Sequence, residues 1–334
     1  MIYSLKVDIM NKCTGCGAYL QIDDPKKPGY TVSLEHTLCN RCFRINNYNE
    51  YQKIEKTNNE FIPILKKINE TNSLVLLVVD ILNINKDLSF ITKYLNNDII
   101  LVLAKRDTLP YKVNNQKLLD YDYGIKCIDK VIISSNKNIG LDELYEKIYQ
   151  YKKDKNVYIV GYSNVGKSTL INKLIYNYSD IDQSITTSML PSTTIDSIEI
   201  SFNEELTIID TPGIIEEGNI INEVEPEVLK KIMCRKEIKP ITYQIKDKQI
   251  ITVEDILLIE SSNNNFTFYM SNNLNIDRKY KELNKDNLKE YTLRINENND
   301  IVILGLGFIK TTNPETIKIY SKYDLEIYTR KSLI

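Results

Sequence analysis

The feature that most constrains the fold is residues 156–168, NVYIVGYSNVGKS, in which an apolar run leads directly into a glycine-containing loop. Gly161 to Ser168 matches the pattern G-x-x-x-x-G-K-[S/T], and the residues that follow have the apolar spacing of a helix. A strand, a tight loop and a helix in this order form a phosphate-binding P-loop, because backbone N–H groups and the helix N-terminus attract an anion. The alternative, a chance match, is disfavoured by this context. The chain is therefore predicted to bind a nucleotide.

Two residues of this loop have a specific expected contact. Lys167 is expected to reach the β- and γ-phosphates, and Ser168 is expected to bind Mg²⁺. The other predicted nucleotide-binding residues of the loop are Gly161, Asn164, Val165, Gly166 and Thr169.

A second predicted phosphate contact is DTPG, Asp210 to Gly213, at the end of the apolar run LTIID. An acidic residue at the end of a strand can hold Mg²⁺, usually through water, and the Gly213 N–H can bond the γ-phosphate. Thr194, in PSTTID, is expected to complete the Mg²⁺ sphere. Alone, DTPG indicates only a turn and a Thr pair indicates a solvated loop, so the P-loop upstream carries this interpretation. Lys167, Thr194 and Gly213 are the predicted catalytic residues.

The candidate for base recognition is AKRD, Ala104 to Asp107, which follows the apolar run DIILVL and resembles the N-K-x-D guanine signature. The Asp107 carboxylate can accept two N–H bonds from guanine and would be repelled by the acceptors of adenine. The Lys105 stem can pack on the ring system. Ser134 and Ser135 follow the next apolar run, at the position of the S-A pair whose backbone contacts guanine in G proteins. In isolation K-x-D indicates only a surface ion pair.

The order of the motifs is informative. It runs AKRD, Ser134-Ser135, GYSNVGKS, PSTTID, DTPG, or G4-G5-G1-G2-G3, whereas ordinary G proteins begin with the P-loop and end with the guanine motif. A doubly wound, mostly parallel sheet can keep its strand positions while the chain enters at another point, since termini often lie close together. The order therefore predicts a circularly permuted P-loop GTPase domain of the α/β class at residues 56–220.

Two C-x-x-C pairs precede this domain, separated by 22 residues: Cys13, Cys16, Cys39 and Cys42. They can supply four thiolates to a tetrahedral Zn²⁺ ion. Two disulfides or four buried thiols are the alternatives, and we favour zinc at residues 1–55. His36 is interpreted as a loop residue because the ligand set is already complete. Cys127 and Cys234 are isolated and are interpreted as packing residues.

Composition excludes several classes of protein. The single His rules out any metal site that needs two of them, and the formal net charge of −2 rules out a surface covered in basic residues. No apolar run approaches the roughly 18 residues of a membrane span, and the N-terminus lacks the pattern of a secretion signal. We expect a cytoplasmic protein without a membrane partner.

Residues 221–334 have a different sequence pattern, in which β-branched and aromatic residues alternate or cluster. The pattern predicts a short helix in EVEPEVLKKIMCRK and then a β-rich domain. The segments with this pattern are ITYQIKDKQIITV, FTFYMS, IVILGLGFIK and TIKIYSKYDLEIYTR, and the apolar run from Ile301 to Ile309 has the length of a strand. The polar stretch SSNNN, residues 261–265, is interpreted as a loop within this domain.

Together these residues resemble the YqeH family, bacterial circularly permuted GTPases involved in ribosome assembly. The resemblance covers nearly the whole chain, including CTGCGAYLQ, LCNRCFRINNYN, VVDILNIN, AKRDTLP, GYSNVGKSTLIN, LPSTTIDSIEI and IDTPGI. It implies a treble-clef-like zinc module, a permuted GTPase domain, and a C-terminal domain that contacts RNA or protein. It also implies a role in biogenesis of the small (30S) ribosomal subunit, with GTP or GDP, Mg²⁺ and Zn²⁺ bound. We expect a monomer that does not bind DNA.

Three positions bear on activity. Ala104 replaces the usual Asn or Thr of the guanine motif, and Ser192 replaces the Gly of P-G-T-T. Ile214 stands where many GTPases have a Gln that orients the attacking water, which predicts slow intrinsic hydrolysis. Related GTPases with an apolar residue there often use K⁺, held partly by a P-loop Asn, and Asn164 has that position. We therefore expect stimulation by K⁺.

Three functions remain open at this point. The first is a GTP-hydrolysing assembly factor that docks on rRNA or the small subunit. The second is a nucleotide-gated adaptor for RNA or protein with negligible turnover. The third is an ATP-dependent P-loop enzyme, which Asp107 disfavours.

Overall fold

The computed structural model describes residues 19–23, 30–34, 36–37, 55–84, 86, 88–179, 190–191, 197–281 and 283–334. Within these ranges, seven strands form one mixed sheet, ten form two antiparallel sheets, and two short strands pair separately. The α/β region followed by a β-rich region is confirmed. The four predicted zinc cysteines, Ser192 and Thr194 lie outside the described residues.

The first part of the chain alternates strands and helices. In chain order the elements are β1 Glu55–Lys56, α1 Asn58–Asn69, β2 Leu74–Asp80, α2 Ser89–Thr92, β3 Ile99–Ala104, α3 Asn115–Asp120, β4 Asp129–Ile132, α4 Leu141–Tyr151, β5 Asn156–Val160, α5 Lys167–Tyr178, β6 Leu190–Pro191, β7 Ile198–Ser201, β8 Thr207–Asp210 and β9 Gly213–Ile214. Short 3₁₀ turns occur at Arg106–Thr108 and Ile220–Asn222.

After one further helix the chain forms strands only. These elements are α6 Pro226–Ile232, β10 Ile241–Ile245, β11 Gln249–Val253, β12 Leu257–Ser261, β13 Asn264–Met270, β14 Ile276–Lys279, β15 Lys289–Ile295, β16 Asn299–Ile303, β17 Gly307–Lys310, β18 Glu315–Ser321 and β19 Ile327–Lys331.

The seven-stranded sheet has the order β4-β3-β2-β5-β8-β7-β6. Strands β4, β3, β2, β5 and β8 are parallel to one another, whereas β7 pairs antiparallel with β8 and β6 pairs antiparallel with β7. Strand β5, which leads into the P-loop, lies between strands that precede it and strands that follow it in the chain. This is the arrangement expected when a chain enters a doubly wound sheet at a different point, so the circular permutation is confirmed.

The positions of buried apolar residues explain why these segments form strands and helices. All seven residues of β2 and all six of β3 are buried, as expected for central strands covered on both faces. Helix α4 buries Leu141, Leu144 and Ile148, a spacing of three and four residues that places them on one side. The described part of residues 51–60 contains β1 and the first turn of α1.

The β-rich region consists of two five-stranded antiparallel sheets, β10-β13-β17-β16-β19 and β14-β11-β12-β18-β15. Buried residues from both sheets, among them Ile251, Ile301 and Ile319, form one cluster, so the sheets pack face to face. On the first sheet the intervening residues Val302 and Phe308 instead join the core of the α/β region. Because side chains alternate along a strand, this sheet is buried on both faces.

Two sequence interpretations need correction. The run IVILGLGFIK, residues 301–310, is a hairpin of β16 and β17 rather than one strand. Gly305, with φ of 84°, provides the turn. The stretch SSNNN is only partly a loop, because Ser261 ends β12 and Asn264 begins β13. Polar composition suggested a loop, but the Asn264 side chain is buried and donates to Asn313 O at 2.9 Å, which satisfies it within a strand.

The two regions join at Gly218, whose φ is +69°. A Cβ at this position would lie 2.5 Å from Glu326 N, so only glycine fits. Glu326 N donates to Gly218 O at 2.8 Å, and Ile220 N donates to Leu304 O at 3.1 Å. The segment after β9 is therefore hydrogen-bonded to two loops of the β-rich region.

Among the residues described, no helix combines the length and the apolar character that crossing a membrane would require.

Candidate functional site

The P-loop joins β5 to α5 at the centre of the mixed sheet. Gly161 passes so close to β2 that a Cβ would lie 2.4 Å from Val78 O, which requires glycine. Lys167 is buried, and its Nζ donates to Gly161 O at 2.7 Å and to Tyr162 O at 3.1 Å. These two bonds turn the ammonium back over the loop, the geometry that lets a lysine neutralise a phosphate held by the loop backbone.

The other predicted P-loop residues are distributed around this lysine. Val165 is buried in the main core, whereas Ser168 is half-buried and Thr169 is exposed on the first turn of α5. Asn164 has a positive φ of 65°, and its carbonyl oxygen accepts a bond from Lys105 Nζ at 2.6 Å. The structure thus brings the guanine-motif lysine and the P-loop together.

The DTPG turn begins where β8 ends. Thr211 Oγ1 donates to Ile159 O at 2.8 Å, which fixes the turn to the P-loop strand. A Cβ on Gly213 would lie 3.4 Å from Lys167 Nζ, so the predicted γ-phosphate contact and the P-loop lysine are neighbours. The structure therefore places Asp210, Gly213 and Lys167 in one site.

Residues Gly213 and Ile214 form a narrow backbone ladder. They pair in parallel with Glu55–Lys56 on one side and are bridged to Tyr162 on the other. Ser163 N donates to Ile214 O at 2.8 Å. The Ile214 side chain is fully buried, so it has no means of orienting a water molecule. The segment that follows DTPG is consequently held directly against the P-loop.

The oxygen atoms near Lys167 suit a site for a divalent cation and a phosphate. Asp210 Oδ1 and Ser163 Oγ are buried and have no hydrogen-bond partner among the described residues. Burial raises the pKa of Asp210 to about 6, while the Lys167 ammonium lowers it. A buried carboxylate oxygen without a partner is costly unless a cation or a bound water satisfies it. Ser168 and Asp210 would hold Mg²⁺ here, and the ion would neutralise charge on the phosphates.

A second buried carboxylate follows the turn. Burial raises the pKa of Glu216 to about 8, and Asp80 adds to this, whereas Asn219 and Lys105 lower it. Asn219 Nδ2 donates to Glu216 Oε2 at 2.8 Å.

Glu216 should make folding stability depend on pH. Because its folded pKa lies above the ordinary value near 4.5, the neutral form is favoured in the folded state, and stability falls as pH rises from about 4.5 through 8. Replacing Glu216 with Gln keeps the Asn219 bond and removes the charge. In urea unfolding, the free energy of unfolding of this variant should equal that of the parent at pH 5 and exceed it by about 2 kcal/mol at pH 8.5.

The neighbouring Glu217, which is exposed, provides the matched control for this measurement. The Glu217→Gln variant should differ from the parent by the same amount at both pH values. A gain for Glu216→Gln that does not change with pH would contradict the interpretation.

The predicted base-recognition residues form a compact group after β3. Asp107 lies in the 3₁₀ turn, where its Oδ1 accepts from Ser134 Oγ at 2.6 Å and its Oδ2 faces Asn136 Nδ2 at 3.4 Å. Ser134 is fully buried, and its backbone makes two bonds with Ile139. Ser135, next to it, is half-buried. The serine predicted for a backbone contact thus also orients the Asp107 carboxylate.

Sequence reasoning missed Arg106. Its guanidinium is buried and donates to Asn115 Oδ1 and to four carbonyl oxygens of the following loop, those of Leu109, Pro110, Tyr111 and Val113. The bonds measure 2.6 to 3.3 Å and tie residues 109–115 around the turn that carries Asp107. An arginine at the variable position of K-x-D gives no signal for such a role in the sequence.

It also missed Asp80, which pairs with Lys105 at 2.9 Å. A signal did exist: Asp80 ends the buried run LVLLVVD just as Asp210 ends LTIID. Of the remaining candidates, His36 Nδ1 lies 3.0 Å from Thr31 Oγ1, and both isolated cysteines are half-buried against the main core.

Comparison with known proteins identifies the family. The chain is 33% identical to the uncharacterized protein YqeH of Bacillus subtilis (strain 168), over 96% of this chain and 99% of that protein. The chain belongs to the YqeH family. A profile described as RsgA GTPase matches residues 71–219, and one described as 50S ribosome-binding GTPase matches residues 156–297.

More distant relatives share part of the chain. GTPase Der of Mycoplasma mycoides subsp. mycoides SC is 30% identical over 47% of this chain and 38% of its own length. The chloroplastic/mitochondrial NO-associated protein 1 of Arabidopsis thaliana is 27% identical over 60% of this chain and 43% of its own length. Taken with the geometry, these matches show that this YqeH-family chain is a GTPase of the RsgA/YqeH type.

Proposed function

We propose that this GTPase is an assembly factor for the small (30S) ribosomal subunit, which it binds when GTP is bound and leaves after hydrolysis. The observation that carries the proposal is the ladder at Gly213 and Ile214, which bonds the γ-phosphate segment to the P-loop on one side and to residues 55–56 on the other. A change at the γ-phosphate would thereby reach residues outside the nucleotide site. The ribosomal partner is supported by membership of the YqeH family.

The nucleotide site is proposed to use every residue predicted from the motifs. Lys105, Asp107, Ser134 and Ser135 bind the base, and the P-loop with Gly213 binds the phosphates. Mg²⁺ is held by Ser168, Asp210 and Thr194. Asp107 gives preference for guanine over adenine even with Ala104 at the Asn position, because the carboxylate accepts bonds that adenine does not offer. Lys167, Thr194 and Gly213 stabilise the charge that develops during hydrolysis.

We propose that the chain comprises a zinc module at 1–55, the permuted GTPase domain at 56–220, and a β-rich domain at 221–334 that contacts RNA or protein. Residues 221–334 carry 18 Lys and Arg against 17 Asp and Glu, so contact with RNA would use local patches. Cys13, Cys16, Cys39 and Cys42 would bind one zinc ion. Elemental analysis of the purified protein should find one zinc per chain, and its absence would contradict this assignment.

Hydrolysis is proposed to be slow without activation, because the buried Ile214 replaces a water-orienting side chain. K⁺ held by Asn164 and the ribosomal partner would each stimulate it. Single-turnover hydrolysis should be faster in K⁺ than in Na⁺, and Asn164→Ala should lose most of that difference. Equal K⁺ dependence in both proteins would remove Asn164 from the cation site.

The deciding experiment is cosedimentation of the full chain with 30S, 50S and 70S particles in GTP, GDP and nucleotide-free states. We expect enrichment on 30S in GTP and release in GDP, with faster GTP hydrolysis when 30S is added. Binding without stimulation would favour a nucleotide-gated adaptor, and enrichment only on 50S would favour the partner that the matching profile describes. No enrichment on 30S in any state would overturn the assembly role.

A further inference from the structure

Asp80 ends the central strand β2 and is almost completely buried, with 9% of its side chain exposed. Its carboxylate accepts three bonds. Oδ1 accepts from Leu82 N at 3.0 Å, and Oδ2 accepts from Lys105 Nζ at 2.9 Å and from Asn83 Nδ2 at 3.1 Å. A buried carboxylate with three donors is held in one orientation.

Lys105 is the partner whose position depends on this carboxylate. Its Nζ lies between Asp80 Oδ2 and the carbonyl oxygen of Asn164 in the P-loop, at 2.9 and 2.6 Å. Its Cε lies 3.9 Å from a Cβ built on Gly166, so the stem runs alongside the P-loop. A free lysine side chain samples many rotamers, and ordering one of them costs conformational entropy. Asp80 holds the ordered rotamer in place before any ligand binds.

Asn83 links this pair to the β-rich region. While its Nδ2 donates to Asp80, its Oδ1 accepts from Gly305 N at 3.1 Å. Gly305 is the turn of the hairpin formed by β16 and β17. The Asp80 carboxylate is thereby fixed from two regions of the chain.

We propose that Asp80 is a positioning residue for guanine-nucleotide binding, which holds the Lys105 side chain against the P-loop and is itself fixed by Asn83 and Gly305. The inference rests on the proposed base-binding role of Lys105. Asp80 affects the affinity for GTP and GDP. The rate of hydrolysis at saturating GTP depends instead on the residues around the phosphates.

The test is a double-mutant cycle with Asp80→Asn, Lys105→Met and the combined variant. The dissociation constants of fluorescent GTP and GDP analogues and the single-turnover rate at saturating GTP are measured for each. Asp80→Asn should raise both dissociation constants about tenfold and change the saturated rate less than threefold. In the Lys105→Met background the Asp80 replacement should have no further effect, because its effect passes through that lysine.

Two further variants sharpen the result. Asp255→Asn removes another carboxylate–lysine pair, with Lys322, on the surface of the β-rich region and should leave both dissociation constants unchanged. Asn83→Ala, useful if Asp80→Asn does not fold, should raise them about threefold in the parent and not at all in the Lys105→Met background.

The possible failures are distinguishable. Unchanged affinity in Lys105→Met would overturn the proposed base-binding role of Lys105 and this inference with it. If Lys105→Met binds nucleotide more weakly but Asp80→Asn keeps the parent affinity, the role of Asp80 alone is overturned. The same follows if the affinity losses of the two single variants add in the double variant.

Discussion

Replacing Lys167 with Met should lower single-turnover GTP hydrolysis by on the order of 10³-fold while the protein stays folded. The Lys167 ammonium is buried, bonded to two P-loop carbonyl oxygens, and next to Gly213. In the proposed site this ammonium would neutralise charge on the transferred phosphoryl group, and Met has similar length but no charge. Binding of GTP should weaken too, because the same ammonium is proposed to contact the phosphates in the ground state.

The matched control is Lys173→Met on the same helix, where the ammonium lies over the Tyr176 ring and away from the P-loop. Hydrolysis by this variant should remain within twofold of the parent. Phosphate release and thermal unfolding are measured for both proteins. If Lys167→Met retained a tenth of the parent rate, Lys167 would not be the phosphate-binding lysine.

Replacing Asp107 with Asn should change which base the protein prefers. In the proposed base site, guanine would present two N–H donors to the two carboxylate oxygens of Asp107, whereas an Asn amide presents one acceptor and one donor. Xanthine carries a carbonyl where guanine carries an amino group, so it matches Asn. We expect affinity for GTP to fall about 100-fold and affinity for XTP to rise above it.

Competition between GTP, XTP and ATP for a fluorescent nucleotide measures this change. Asp120→Asn, an exposed carboxylate on α3 that accepts from Gln116, should retain the parent preference. An Asp107→Asn protein that still preferred GTP to XTP would show that another residue selects the base.

Much of the nucleotide site was predictable because its chemistry is local in sequence. The P-loop, the DTPG turn and the guanine motif each follow a strand that contains an apolar run. The carboxyl ends of parallel strands meet at one edge of a sheet, so such motifs come together whatever their order. This is why Lys167, Asp210 and Lys105 could be proposed from the sequence, and the structure places Lys167 near Asp210 and Lys105 against the P-loop residue Asn164.

Contacts that depend on the conformation of a loop or join distant segments were less predictable. Arg106 is buried by carbonyl oxygens that belong to a loop, and neither its neighbours nor its type distinguishes it from a surface arginine. Asn83 meets Gly305 across 222 residues, a pairing that no periodicity indicates. The hairpin at 301–310 was also missed as a hairpin, since glycines within a long apolar run are compatible with an unbroken strand.

The sheet β10-β13-β17-β16-β19 has a consequence for how the chain can be divided. It sends Val302, Phe308 and Tyr328 into the core of the α/β region and Ile301 and Ile309 into its own sandwich. Truncation after residue 220 would remove these side chains from the core of the α/β region and expose the apolar residues that they cover. The two regions should unfold in a single cooperative transition. A hinge motion that separated them would expose this shared apolar surface to water, which is unfavourable.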